Sequence, residues 1–125
     1  MIELLASPSP RTVGIRCSGR LHDEDFHKLE PVIETTIAKQ GTVRLLAQFE
    51  DFHGWDMHAA LDELRIGLRH SKDFEKIALV GDHDWERWIA KLTRLFTTAP
   101  VRYFDSSEHD LAWTWLEDES FLSFH

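Results

Sequence analysis

Four apolar residues stand in unbroken succession between Lys76 and the Gly81-Asp82 pair: Ile77-Ala78-Leu79-Val80. A strand that shows no alternation is covered on both faces and needs a neighbour on each edge. This run therefore predicts a central strand of an α/β sheet, and the rest of the chain must supply its neighbours. Residues 1–6 read as a short first strand, closed by Ser7-Pro8-Ser9-Pro10, because proline cannot donate to a ladder. Residues 12–18 alternate, with Val13, Ile15 and Cys17 on one face and Gly14, Arg16 and Ser18 on the other, and Gly19 is read as their end. Residues 43–49 form the third strand, with Val43, Leu45, Ala47 and Phe49 sharing a face and Arg44 and Gln48 opposite. Residues 101–104 form the last strand.

Helical patterns separate these strands. Pro31 predicts a break, because an interior proline costs about 3 kcal/mol but is favoured in a first turn. We therefore read a turn over residues 23–28 and a main helix over 31–39, with Val32, Ile33 and Ile37 inward and Gly41 at its C-terminal end. Met57, Ala60, Leu61, Leu64 and Leu68 recur at helical spacing over 56–69, behind an aromatic loop at 50–55. Gly81-Asp82 opens a third helix carrying Trp85, Trp88, Ile89, Leu92, Leu95 and Phe96 on one side, which Pro100 stops. A last helix over 108–117 is expected to turn Leu111, Trp115 and Ala112 inward, with Ser106 or Ser107 as cap. The order is β-β-α-β-α-β-α-β-α. It implies a mixed, mostly parallel five-stranded sheet with about four helices, in one domain over residues 1–125.

Charge and composition narrow the function. The formal charge of the 125-residue chain is −8, which opposes non-specific binding to nucleic acid. The single Cys17 excludes an internal disulfide and a multi-cysteine metal site, in keeping with a reducing cytoplasmic home. No apolar run approaches the ~20 residues that span a bilayer, and Pro8, Pro10 and Arg11 interrupt any signal-peptide core. The chain is expected to be soluble, at most peripheral at a membrane.

Several segments together resemble the SpoIIAA-like family, small bacterial proteins of the STAS type. They are Gly41-Thr42-Val43-Arg44-Leu45-Leu46, Phe52-His53-Gly54-Trp55, Ile77-Ala78-Leu79-Val80-Gly81-Asp82 with Trp85 and Trp88, and Val101-Arg102-Tyr103-Phe104 before the final tryptophan-rich helix. The resemblance implies a STAS-like two-layer fold and a domain without catalysis. In the sporulation antagonists, a serine opening the helix after the third strand is phosphorylated by a partner kinase. Here no Ser, Thr or Tyr occurs between Thr42 and Ser71. A phospho-switch adds charge and acceptors to a hydroxyl, so it is absent at that place in its known form. Members of this branch also resemble lipid carriers of the CRAL-TRIO type.

Five Trp and eight Phe are many for this length. The stripe on the third helix reads first as core. Its bulk and its basic polar side are also what a pocket wall or an interfacial helix would show. Ligands of α/β sheets favour the carboxyl ends of the strands, where the segment 50–56 lies. The candidate lining of an apolar site is therefore Phe52, Trp55, Met57, Leu61, Trp85 and Trp88, between the second and third helices, with Asp82 capping the third. The expected activity is carriage or sensing of a nonpolar, lipid-like molecule. The alternative is a protein-interaction regulator of the anti-sigma-antagonist kind, using the 50–56 loop. A homodimer is compatible with either. No cofactor is implied. His53 and His58, five apart, and His83 beside Asp82 and Asp84 do not have metalloprotease spacing, and no nucleophile elbow or phosphate loop occurs.

Overall fold

The computed structural model describes residues 1–55, 72–82, 90 and 99–118. Five strands form one sheet in the order β1-β2-β3-β4-β5: β1 Ile2–Leu5, β2 Thr12–Leu21, β3 Val43–Trp55, β4 Phe74–Gly81 and β5 Val101–Asp105. The first pair is antiparallel, and β2, β3, β4 and β5 run parallel. The apolar run of Ile77 to Val80 is buried throughout and lies between two neighbours, as its lack of alternation requires.

Helix α1 spans Asp23–Gln40 without interruption, where a turn and a shorter helix were expected. Pro31 does not break it. The N–H that Pro31 lacks would have faced the His27 carbonyl, and both residues lie on the exposed side of the helix. Burial of Phe26 and Leu29 before the proline and Ile33 after it offsets the cost, because one continuous apolar stripe seats both halves on the sheet. At its start, the backbone N–H of His22 donates to the Asp25 carboxylate (2.8 Å). At its end, Gly41 takes a left-handed φ of 85° and donates to the Ile37 carbonyl (2.7 Å), closing the helix as expected.

A 3-10 turn at Ser106–Glu108 leads into helix α2, His109–Glu117. Neither Ser106 nor Ser107 is the cap: Glu108 precedes α2, and Asp105 caps the 3-10 turn, its backbone N–H donating to Glu108 Oε1 (3.0 Å). The inward residues of α2 match expectation at Ala112 and differ from it at Leu111 and Leu116. Ala112 and Leu116 are fully buried, Trp113 and Trp115 are half-buried, and Leu111 points outward. The expected second and third helices lie outside the described residues apart from Ala90, which is helical and buried.

Two cores follow from the pleat. Odd-numbered residues of β2, β3 and β4, among them Val13, Ile15, Cys17, Val43, Ala47, Ile77 and Leu79, pack with Phe26, Leu29 and Ile33 of α1. Leu46, Ala78, Val80 and Phe104 occupy the other face and pack with Ala112 and Leu116 of α2. The described sheet thus carries a helix on each face, with the larger core beneath α1. A strictly two-layered stack therefore gives way to unequal covering of both sides.

Gly14 shows how closely α2 approaches. A Cβ added there would stand 2.6 Å from Trp113 Cη2 and 3.3 Å from Leu5 Cβ. The indole is held in place by a hydrogen bond from its Nε1 to His109 Nε2 (3.2 Å). Gly14→Ala is expected to lose about 1–3 kcal/mol in urea unfolding, the range for overpacking a fitted site. Wild-type stability in that variant would mean that Trp113 does not rest on β2.

Candidate functional site

The carboxyl ends of the parallel strands are where an α/β sheet presents its loops. Here β2 and β3 outrun their neighbours. The β3–β4 register ends at Gln48 and Val80, whereas β3 stays paired with β2 as far as Leu21 and Trp55. Two expectations are corrected at this place. Gly19 does not end β2, and residues 50–55 are strand rather than loop.

The reason is a pair of bulges. From Cys17 to Gly19 the partner residues run from Phe49 to Phe52, and from Gly19 to Arg20 they run from Phe52 to Gly54. Each step places one extra residue on β3. The backbone absorbs them at Asp51 (φ 50°) and Gly54 (φ 100°), with Gly19 (φ 61°) opposite. Asparagine and aspartate enter this left-handed region more readily than other side-chain-bearing residues, and a bulge re-aims the residue that follows it. Strict alternation from Phe49 would send Phe52 outward. Instead Phe52 turns back into the α1-side core, its ring 4.8 Å from that of Phe49 and its side chain 4% exposed.

What remains outward on this ribbon is charged. Glu50, Asp51 and His53 are exposed, and so is Arg20 on β2. Arg16 braces the ribbon from β2, its Nε 3.1 Å from Glu50 Oε2 and its Nη1 3.3 Å from Glu3 Oε2. Exposed pairs of this kind contribute about 0–1 kcal/mol, so they orient the strands more than they stabilise them. Asp82 and Asp105 to Ser107 are exposed at the ends of β4 and β5. Of the six residues proposed from the sequence, Phe52 belongs to the core and Trp55 pairs with Leu21 through its backbone. Met57, Leu61, Trp85 and Trp88 lie outside the described residues. Among the described residues no group of three or more His, Cys, Asp or Glu could hold a metal, and no helix is long and apolar enough to cross a membrane.

The opposite end of the sheet holds polar groups that the sequence reading passed over. Arg44 and Lys76 are neighbours in register on β3 and β4, 1% and 0% exposed, on the face that α2 covers. Arg44 donates to Glu75 Oε2 and to the Leu116 carbonyl, both at 2.7 Å. Lys76 Nζ donates to the carbonyls of Trp115 (2.8 Å) and Asp118 (2.7 Å) and lies 5.2 Å from the centre of the Trp115 ring. The last carbonyls of a helix lack intrahelical donors and carry its negative dipole end. Two buried cations answer that need, and α2 answers theirs. Thr12, also buried, donates to Glu117 Oε1 (2.6 Å), tying β2 to the same helix end. Burial pushes the Glu75 carboxyl upward, but hydrogen bonds from Thr42 and Arg44, with the charges of Arg44 and Arg11, outweigh it and hold the group below the ordinary glutamate range. The signal was present in the sequence: Arg44 shares parity with Leu46, and Lys76 with Ala78 and Val80. Both cations therefore had to lie on a covered face.

Comparison with known proteins accords with this arrangement. The SpoIIAA-like family model matches residues 12–117, from the start of β2 to the end of α2. The chain belongs to the SpoIIAA-like family. An uncharacterised protein with a SpoIIAA-like fold from Shewanella loihica PV-4 is 27% identical, with a TM-score of 0.74 over 93% of this chain and 92% of that one. The anti-sigma factor antagonist SpoIIAA in its unphosphorylated form superposes with a TM-score of 0.62 at 17% identity, over 94% of this chain and 100% of that one, which shows a shared fold. No curated protein matches the chain. This SpoIIAA-like domain thus has its five-stranded mixed sheet in common with solved relatives.

Proposed function

We propose that this SpoIIAA-like domain is a regulatory protein-interaction module without catalysis, which docks a partner on the bulged β2–β3 ribbon. The observation that carries this reading is the division of the ribbon: the bulges turn Phe52 inward while Glu50, Asp51 and His53 remain exposed. A braced, charged strand end suits steering and registering a protein surface better than enclosing a nonpolar molecule. The fold shared with an anti-sigma factor antagonist supports the same class of work. Without a hydroxyl between Thr42 and Ser71, partner binding is not switched by phosphorylation at that place.

The test pairs affinity capture with native mass spectrometry. Wild-type chain is expected to retain a kinase-like or sigma-regulatory protein. The double variant Asp51→Asn/His53→Glu should lose it while melting as the wild type does. Recovery of a bound lipid in place of any such protein would instead establish the carrier reading built on Phe52, Trp55, Met57, Leu61, Trp85 and Trp88.

A further inference from the structure

We infer that two copies of this chain associate through the outer edge of β1, joining their sheets antiparallel about a two-fold axis at Leu4. Among the described residues, strand β1 is the end of the sheet, with β2 as its one neighbour. Its ladder sets which groups face away. Met1 exchanges hydrogen bonds with Ser18, at 2.6 and 2.9 Å, so in antiparallel alternation the Glu3–Arg16 and Leu5–Gly14 pairs are the next bonded ones. The backbone N–H and C=O groups of Ile2 and Leu4 therefore point outward, away from β2.

Of the devices that keep an open strand from pairing, this edge has its shortness and the charge of Glu3. Residues Ile2–Leu5 contain no proline, no lysine and no bulge. Leu4 is 61% exposed, and it is one of three large hydrophobic side chains so exposed among the described residues. At the other end of the sheet, β5 carries Arg102, whose guanidinium covers the rings of Phe104 and Trp115.

The identity of the occupant follows from register. An antiparallel two-fold centred on Glu3 would set that carboxylate directly against its own copy, at a Cα separation of about 4.5 Å, which is destabilising. Centring on Leu4 removes the conflict. Leu4 then faces Leu4 on the α1 side, Glu3 faces Leu5, and Ile2 faces Ala6. Glu3 keeps its own partner Arg16 at 3.3 Å, so the charge pairing within each copy is undisturbed. The segment is thus complementary to itself in one register. Pro8 and Pro10 limit the pairing beyond Ala6, and a two-fold contact uses each edge once, so the assembly closes at two copies. A short strand pair buries little area, and each chain has a formal charge of −8. The dimer is therefore concentration-dependent and strengthened by salt, which screens the mutual repulsion.

Sedimentation of the full chain over a range of concentrations tests this. The expected result is a shift from 14.6 kDa toward twice that mass, larger at 0.5 M than at 0.05 M salt as a rough choice of conditions. Leu4→Lys should remain a monomer with an unchanged melting curve. In a second experiment, Leu4→Cys is treated with a short bis-maleimide. Bonded antiparallel pairs have Cα atoms about 5.5 Å apart, within its reach. Rapid cross-linking is expected there, and background cross-linking for Lys39→Cys on α1 and for the wild type, whose Cys17 is buried. A monomer at all concentrations overturns the proposal, whether or not β1 pairs with a foreign strand. A dimer that survives Leu4→Lys and gives no Leu4→Cys cross-link also overturns it. Neither outcome bears on the ribbon at the far end of β2 and β3.

Discussion

Arg44→Ala should unfold at markedly lower urea than the wild type, with a loss of about 3 kcal/mol, the low end for breaking a buried ion pair because Glu75 keeps some contact with water. Lys76→Met should lose roughly 3 kcal/mol, because its methylenes are replaced but two charge-assisted hydrogen bonds are not. Both effects arise at one place. Removing Arg44 leaves Glu75 without its closest cation and deprives the Leu116 carbonyl of a donor. Removing the Lys76 ammonium deprives the carbonyls of Trp115 and Asp118. Helix α2 is nine residues long, too short to persist without docking, so its tryptophans should report the loss in near-ultraviolet circular dichroism. Wild-type stability in both variants would mean that α2 is held by Ala112 and Leu116 alone.

The same cluster should be sensitive to acid in a defined direction. Glu75 is held below the ordinary glutamate range in the folded protein. A lowered carboxyl binds fewer protons folded than unfolded, so its stabilisation is complete above the ordinary value, roughly pH 4.3. It is lost as pH falls through that value toward the lowered folded one. Glu75→Gln should therefore flatten the fall in stability below about pH 4.3 while lowering stability at neutral pH.

The second large effect is expected at Phe52. Phe52→Ala should cost about 3–5 kcal/mol, as for an aromatic removed from a packed core. His53→Ala, one residue along, should change stability by no more than about 0.5 kcal/mol. The contrast follows from the bulges, which bury Phe52 beside Phe49 and leave His53 in water. If Phe52 instead lined an open cleft, its truncation would change stability little and the two variants would melt alike. The pair of variants therefore separates a core residue from a ligand contact without any ligand in hand.

Much of the sheet was legible from periodicity. Val13, Ile15 and Cys17 share the buried face their alternation assigned, and the unbroken run after Lys76 is the strand with neighbours on both sides. Legibility failed where a local rule was outweighed from a distance. Pro31 reads as a break that starts a new helix, yet α1 runs through it because residues on both sides of it find the same sheet to bury against. Gly19 reads as a strand end, yet β2 continues because β3 offers pairing out to Trp55. In α2, both Leu111 and Leu116 could serve as the inner residue. The position of the helix over Leu46 and Val80 selects Ala112 and Leu116 and leaves Leu111 outside.

The candidate site divides along the same line. The order of elements along the chain, the glycine that closes α1 and the position of the aromatic segment beside the sheet's carboxyl edge are properties of neighbouring residues, since backbone period and φ preference act within a few positions. The inward turn of Phe52 and the burial of Arg44 and Lys76 are not. A bulge exists by comparison with the strand beside it, and a cation can be buried once a helix end, far along the chain, brings carbonyls to meet it. Hydrophobic burial and hydrogen-bond satisfaction depend on what lies opposite, which the linear order of residues does not state.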